Sequence, residues 1–275
     1  MRAGQGSDAR KVAQFEPGVA VTSSRPFWRR ALGIVLAPWP FVLIIAVWQA
    51  WIVFGRVPEI VAPSPLLAFT HAAEQLRAIG PDLLATLKVV AAGLTLGMSA
   101  GIALAIAAWF SPLLSGVLTP PTVLLNAIPS IALIPVLGSI FGFNPMTVVV
   151  VAALITFFPA FVLTRSGLDA VPPSAPDVLA ALGANRRARF LYLALPAALP
   201  NMATALRIGA MLSVLGALTA EWLLGTDGLG FRLALAQQVM DTTQAWNISM
   251  VGVALSLMIF VLATLLERTI VRRFR

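Results

Sequence analysis

The chain has 275 residues, of which 59% are hydrophobic and only 11% charged, with a mean hydropathy of +0.91. Water-soluble domains average about 45–50% apolar and about 25% charged residues, so a soluble monomer is excluded. The absence of cysteine and the single histidine, His71, exclude disulfides, thiolate chemistry and Cys- or His-rich metal sites. The net charge of +8 is assigned to basic residues facing anionic lipid, not to a nucleic-acid surface.

Residues 1–30 are polar and basic, lack periodicity, and read as a disordered cytoplasmic tail. Residues 31–275 read as one transmembrane domain. The first apolar run, 31–54, is too long for a signal peptide, and no small-residue cleavage site follows it. A helix needs about 20 apolar residues to span the hydrocarbon. Six stretches qualify: 38–54, 83–109, an irregular 113–141, 146–164, 203–224 and 245–266. The expected fold is therefore an all-α membrane protein of about six spans.

Charge orients the spans. With the N-terminus in the cytoplasm, the tail, the long loop after the fourth span and the C-terminus hold fifteen of the nineteen Lys/Arg. Cytoplasmic segments carry this excess, and the reverse orientation is rejected. On the outer side, Ser64 can cap a helix beginning at Pro65, and Gly80-Pro81 is expected to end it. Leu66, Phe69, Ala73 and Leu76 share one face of that helix, which suits a membrane surface. Gly225, Gly228 and Gly230 read as turn residues of the second outer connection.

Within the second span, Gly93, Gly97 and Gly101 recur every four residues and predict a close-packed seam. The third stretch holds Pro120, Pro121, Pro129 and Pro135. Asn126, Pro129 and Ser130 are candidates for a non-helical break lining the pathway, with a kinked packing helix as the alternative. Pro159 reads as a kink in the fourth span. Lys88 and Arg207 sit near span ends, where they can snorkel. Glu221, near the outer end of the fifth span, is a candidate for gating or structural pairing, or reaches the outer interface.

The cytoplasmic loop, 165–201, is the most informative segment. Ser174 can cap a short helix bearing Asp177 in its first turn. Leu179 and Leu182 form an apolar edge, and Gly183 ends the helix or permits a close approach. A second helix is expected over 186–193, basic on one side and apolar on the other, before Pro196 and Pro200 break the chain. Two short helices with an apolar edge form a docking knob.

This loop resembles the EAA loop of ABC importer permeases: Glu-Ala-Ala, three residues, Gly, nine residues, an aliphatic, one residue, then Leu-Pro. Asp177-Val178-Leu179 stands at the triplet, followed at the right intervals by Gly183, Leu193 and Leu195-Pro196. The triplet departs from the pattern, with Asp for Glu and Val-Leu for Ala-Ala. Further likeness to the nitrate/sulfonate/taurine branch lies in the Gly93/Gly101 span, Ile128 through Pro135, Ala220-Glu221-Trp222-Leu223 and Gly228-Leu229-Gly230.

The resemblance implies a type I permease fold with a coupling helix in the cytoplasmic loop, in a prokaryotic cytoplasmic (inner) membrane with both termini inside. It implies a homodimer, two copies of a separate ATPase that binds ATP and Mg, and an extracytoplasmic solute-binding protein. It places ATPase docking on Asp177, Leu179, Ala180, Leu182, Gly183, Ala184, Asn185, Arg186 and Phe190. The implied solute is a small anion such as a sulfonate, taurine, nitrate or bicarbonate, or alternatively a vitamin precursor or aromatic compound.

Independently of any family, neither of the two lysines, Lys11 and Lys88, follows a phosphate-binding glycine-rich loop. This chain is therefore expected to hold no cofactor and catalyse no reaction, with ATP hydrolysis in a partner. A secondary carrier would need ion-coupling residues at mid-membrane or two related halves, and neither is visible. A membrane enzyme would need an acid/base or metal cluster, yet His71 and Glu74 are the nearest pair, at a spacing typical of a solvated helix face.

Overall fold

The computed structural model describes residues 39–59, 61–118, 129–225 and 227–273. The expected basic tail, 1–30, and Asn126 lie outside them. Every regular element among the described residues is helical. In chain order these are α1 (Trp39–Gly55), α2 (Pro65–Glu74), α3 (Leu76–Phe110), α4 (112–118), α5 (Ser130–Phe141) and α6 (Pro145–Asp169). Then follow α7 (Ala175–Ala181), α8 (Arg186–Arg189), a π-helical turn (Phe190–Ala194), α9 (Leu195–Leu224), α10 (Leu229–Gln238) and α11 (Thr242–Arg273). Two compact units are distinguished, 1–48 and 49–275, and the packing below is that of the second.

Among the described residues, four helical stretches are long and apolar enough to cross a membrane: Leu76–Phe110, Pro145–Asp169, Arg186–Leu224 and Thr242–Arg273. Trp39–Gly55 and Ile131–Phe141 are shorter apolar helices. α1 is apolar all round, with Trp39, Val42, Ile44 and Phe54 all exposed, a pattern suited to lipid.

The glycine repeat builds the centre of the bundle. A Cβ at Gly93 would overlap Ala152, one at Gly97 would overlap Thr156 and the carbonyl of Ala153, and one at Gly101 would overlap Ala160 and the carbonyl of Phe157. Backbone contact between α3 and α6 therefore requires glycine at all three positions. Thr156 Oγ1 donates across the seam to the Gly93 carbonyl at 3.2 Å. Ser213 on α9 donates to the Val90 carbonyl at 2.9 Å. Such interhelical bonds average below about 1 kcal/mol in a bilayer, so close packing carries the seam. α9 packs on α6 and α3, α11 packs on α9, and α10 fills the space between α9, α11 and α3.

The structure corrects four expectations. Gly80-Pro81 does not end α2; that helix stops at Glu74, and Pro81 lies in the second turn of α3. Pro81 is the sixth residue of α3 and removes one intrahelical donor, yet the helix continues through it. The expected irregular stretch 113–141 lies partly outside the described residues, which are helical over 112–118 and again from Ser130.

Pro196 and Pro200 do not break the chain, because helical structure runs from Arg186 to Leu224. The reason is the π turn over Phe190–Ala194. Its wider ring, closed by the Leu195 N–H on the Phe190 carbonyl, makes room for the Pro196 ring. The same turn shortens the expected 186–193 α-helix to four residues. Arg207 does not snorkel alone: its Nε lies 3.1 Å from Glu267 Oε2, and Thr204 Oγ1 donates to Glu267 Oε1 at 2.8 Å.

The short helix α2 is capped by Ser64, whose Oγ accepts from the Leu67 N–H at 3.4 Å, with Pro65 as its first residue. Ala68 and Ala72 are buried, while Leu66 and Phe69 are exposed.

Candidate functional site

At the basic end of the bundle, α7 and α8 form a compact projection between α6 and α9. α7 needs a firm stop because only three residues, 183–185, separate α7 and its C-cap Leu182 from α8. Gly183 supplies it with a φ of +78°, in the left-handed region that disfavours a Cβ. The Gly183 N–H donates to the Ala180 carbonyl and the Ala184 N–H to the Leu179 carbonyl, both at 2.9 Å. This double bond pattern is a Schellman closure. Among the described residues, chain neighbours aside, no atom lies within 4 Å of where a Gly183 Cβ would stand, so backbone conformation selects the glycine. Asn185 then caps α8, accepting from the Ala188 N–H at 2.8 Å. Ser174 precedes α7 but makes no side-chain capping bond.

The apolar edge differs from the expected one. Leu179 is half-buried, and the exposed apolar pair is Val178, 58% exposed, with Leu182, 77% exposed. The two lie four residues apart, one above the other on a single face. That spacing marked Val178, which the expected pair left out. Asp177, Ala180, Gly183 and Asn185 are also exposed, and Ala184 is half-buried.

Arg186 and Phe190 turn toward the chain's own α3. Arg186 Nη2 donates to the Trp109 carbonyl at 3.0 Å, and its guanidinium sits 5.7 Å from the Trp109 ring centre. The Phe190 ring packs 5.4 Å from Trp109 and 5.0 Å from Phe110. These contacts tie the projection to the end of α3.

The opposite end holds the second cluster. Glu221 is fully buried and does not reach the interface. Its Oε2 accepts from Thr86 Oγ1 and from the Gly230 N–H, each at 2.9 Å. Thr86 Oγ1 in turn accepts from the Leu229 N–H at 2.9 Å. Two first-turn donors of α10 are thereby satisfied from α3 and α9, as a buried helix start demands. Gly228, at a φ of +116°, lies flat against the Glu221 carboxylate, where a Cβ would collide. Arg232 of α10 adds an ion pair with Asp82 of α3, 2.9 Å from Nε to Oδ2. Pro129 holds a non-helical ψ of 116° at the start of α5 and is exposed; Ser130 is the first residue of that helix. Among the described residues no three His, Cys, Asp or Glu lie close enough to hold a metal ion.

Comparison with known proteins bears on this arrangement. Residues 93–275 match the family described as binding-protein-dependent transport system inner membrane component. A probable ABC transporter permease protein of Haemophilus influenzae is 30% identical over 79% of this chain and 89% of the relative. A riboflavin transport system permease protein of Chloroflexus aurantiacus is 31% identical over 92% of this chain and 94% of its own length. A taurine transport system permease protein of Escherichia coli is 26% identical over 91% and 93%. Among solved structures, an amino acid ABC transporter superimposes with a TM-score of 0.61 at 19% identity, covering 73% of this chain and 98% of that one, which shows a shared fold. The chain belongs to the binding-protein-dependent transport system inner membrane component family, as a multi-pass permease subunit of an ABC importer.

Proposed function

We propose that this subunit forms the membrane pathway of an ATP-driven importer of a small solute, with ATPase docking on residues 174–190. The observation that carries the reading is the shape of α7: a seven-residue helix, pinned at Gly183, that holds Val178 and Leu182 out in solvent. A rigid, exposed apolar pair loses little freedom on binding and fits a partner's groove. Each of two ATPase copies, carrying ATP and Mg, engages one permease copy through Asp177, Val178, Ala180, Leu182 and Gly183. Leu179, Ala184, Asn185, Arg186 and Phe190 hold that surface in place. A second copy of this chain completes the pathway, and both termini face the cytoplasm. At the outer end an extracytoplasmic binding protein delivers the solute, Asn126, Pro129 and Ser130 line the route, and Glu221 positions the outer segment over it.

The solute is a small anion such as a sulfonate, taurine, nitrate or bicarbonate, a reading supported by similarity to the taurine permease across 91% of the chain. A second reading, a vitamin precursor or aromatic compound, is favoured by the higher identity, 31%, to the riboflavin permease. The test is uptake into proteoliposomes holding this chain with its ATPase and binding protein. ATP-dependent entry of taurine supports the first reading and entry of riboflavin the second. Solute entry driven by an ion gradient without ATP contradicts both.

A further inference from the structure

We propose that the cleft beneath the docking projection is an anion site that takes the phosphate of an anionic glycerophospholipid. The cleft has a volume of about 500 Å³ and is walled by α3, α6 and the loop helices. Three arginines, Arg165, Arg186 and Arg189, line it against one acid, Asp169. Asp169 is already engaged by Arg165, Nη1 to Oδ1 at 2.7 Å, which leaves two guanidinium charges uncompensated. Arg186 spends one donor on the Trp109 carbonyl and keeps the rest of its fork. Arg189 has a buried Nε that finds no acceptor among the described residues. A guanidinium donor buried without a partner is costly, and a phosphate oxygen in the cleft would satisfy it. Paired N–H donors in a fixed fork match phosphate geometry.

The remaining walls select the lipid source. Leu168, Val171, Leu193 and Trp109 give the cleft an apolar side next to its charged one. Beside it, Leu191 and Tyr192 are 55% and 79% exposed, offering acyl chains a surface. The cleft lies where α3 ends at Phe110 and α6 at Asp169, the level of headgroups for helices of this length. Basic pockets between membrane helices bind such headgroups. An occupant there would bridge α6 to the projection and stiffen the joint between α7 and the bundle. The inference goes beyond the transport reading and holds whichever solute is carried.

The test is native mass spectrometry of the full-length chain in detergent with equimolar phosphatidylglycerol and phosphatidylcholine, with and without excess inorganic phosphate. The wild type is expected to retain phosphatidylglycerol preferentially. Arg165→Gln and Arg189→Gln are each expected to weaken that retention by about fivefold, and Arg189→Lys to restore part of it. Arg272→Gln, on the last helix away from the cleft, is expected to change nothing. Retention that persists in excess phosphate assigns the site to lipid. Displacement by phosphate, lost again in Arg189→Gln, keeps the anion site but overturns the lipid assignment. Equal retention by the wild type and both glutamine variants, all monodisperse and equally helical by circular dichroism, overturns the site itself.

Discussion

Gly183 and Glu221 carry the two clusters at residue scale, and they were unequally legible. A glycine after a short helical pattern reads, from sequence alone, as a helix stop or a point of close approach, and the fold shows the stop. Gly183→Ala forces a Cβ into a φ of +78° and is expected to cost about 1–2 kcal/mol. Because nothing crowds the site, the expected result is a frayed α7 and weaker ATPase stimulation with an unchanged amount of protein in the membrane. Hydrolysis by the assembled transporter checks this. Glu221 was recognisable as a charge within a span, but its partners were not: Thr86 lies 135 residues away and Gly230 is reached only by the fold-back of α10. Glu221→Ala strands the Thr86 hydroxyl and the Gly230 N–H in a buried site, at about 1–3 kcal/mol. Thermal unfolding in detergent should show a lower midpoint, with Glu221→Gln, which keeps an acceptor, less affected. An unchanged midpoint in Glu221→Ala would show that α10 does not depend on this anchor.

At the scale of elements, hydropathy located the apolar segments because lipid imposes a length that sequence must meet. The four-residue glycine spacing also named its own seam, since only one helix face can hold all three. Gly97→Leu drives a side chain into Thr156 and the Ala153 carbonyl, an overpacking typically costing about 1–3 kcal/mol. Size-exclusion chromatography of the detergent-solubilised variant is expected to show loss of the monodisperse peak, whereas Gly116→Leu, with nothing within 4 Å, is expected to keep it. Helix ends were less legible, and prolines were the reason. A proline is read as a stop, yet α3 continues through Pro81, and Pro196 is accommodated by the π turn before it. That π turn is not written in a local propensity; it depends on how the turn before the proline is closed. The exposed edge of α7 was misassigned as well. Leu179 and Leu182 are both apolar; the four-residue spacing pairs Val178 with Leu182 on one face, and the fold shows Leu179 turned inward.

For the molecule as a whole, the chain supplies a bundle, a clasp at Glu221 and, at the opposite end, a basic projection fastened to α3 by Arg186 and Phe190. The two ends are linked mechanically through α3 and α9, each of which reaches both clusters. α3 runs from Thr86 to Trp109, and α9 from the π turn beside Phe190 to Glu221. On the proposed division of labour, the purified chain by itself is expected to hydrolyse no ATP, which a phosphate-release assay on a preparation free of other subunits would check. The most direct test of the central claim places a charge on the exposed edge, as Leu182→Glu, and measures ATP-driven solute uptake by the reconstituted importer. Leu182 is 77% exposed, so the variant is expected to fold and insert as the wild type does. Burying an unpaired carboxylate in an apolar partner groove costs several kcal/mol, so the account predicts uptake reduced by about a hundredfold or more, with the ATPase no longer co-purifying. Wild-type uptake with the ATPase still bound would contradict it.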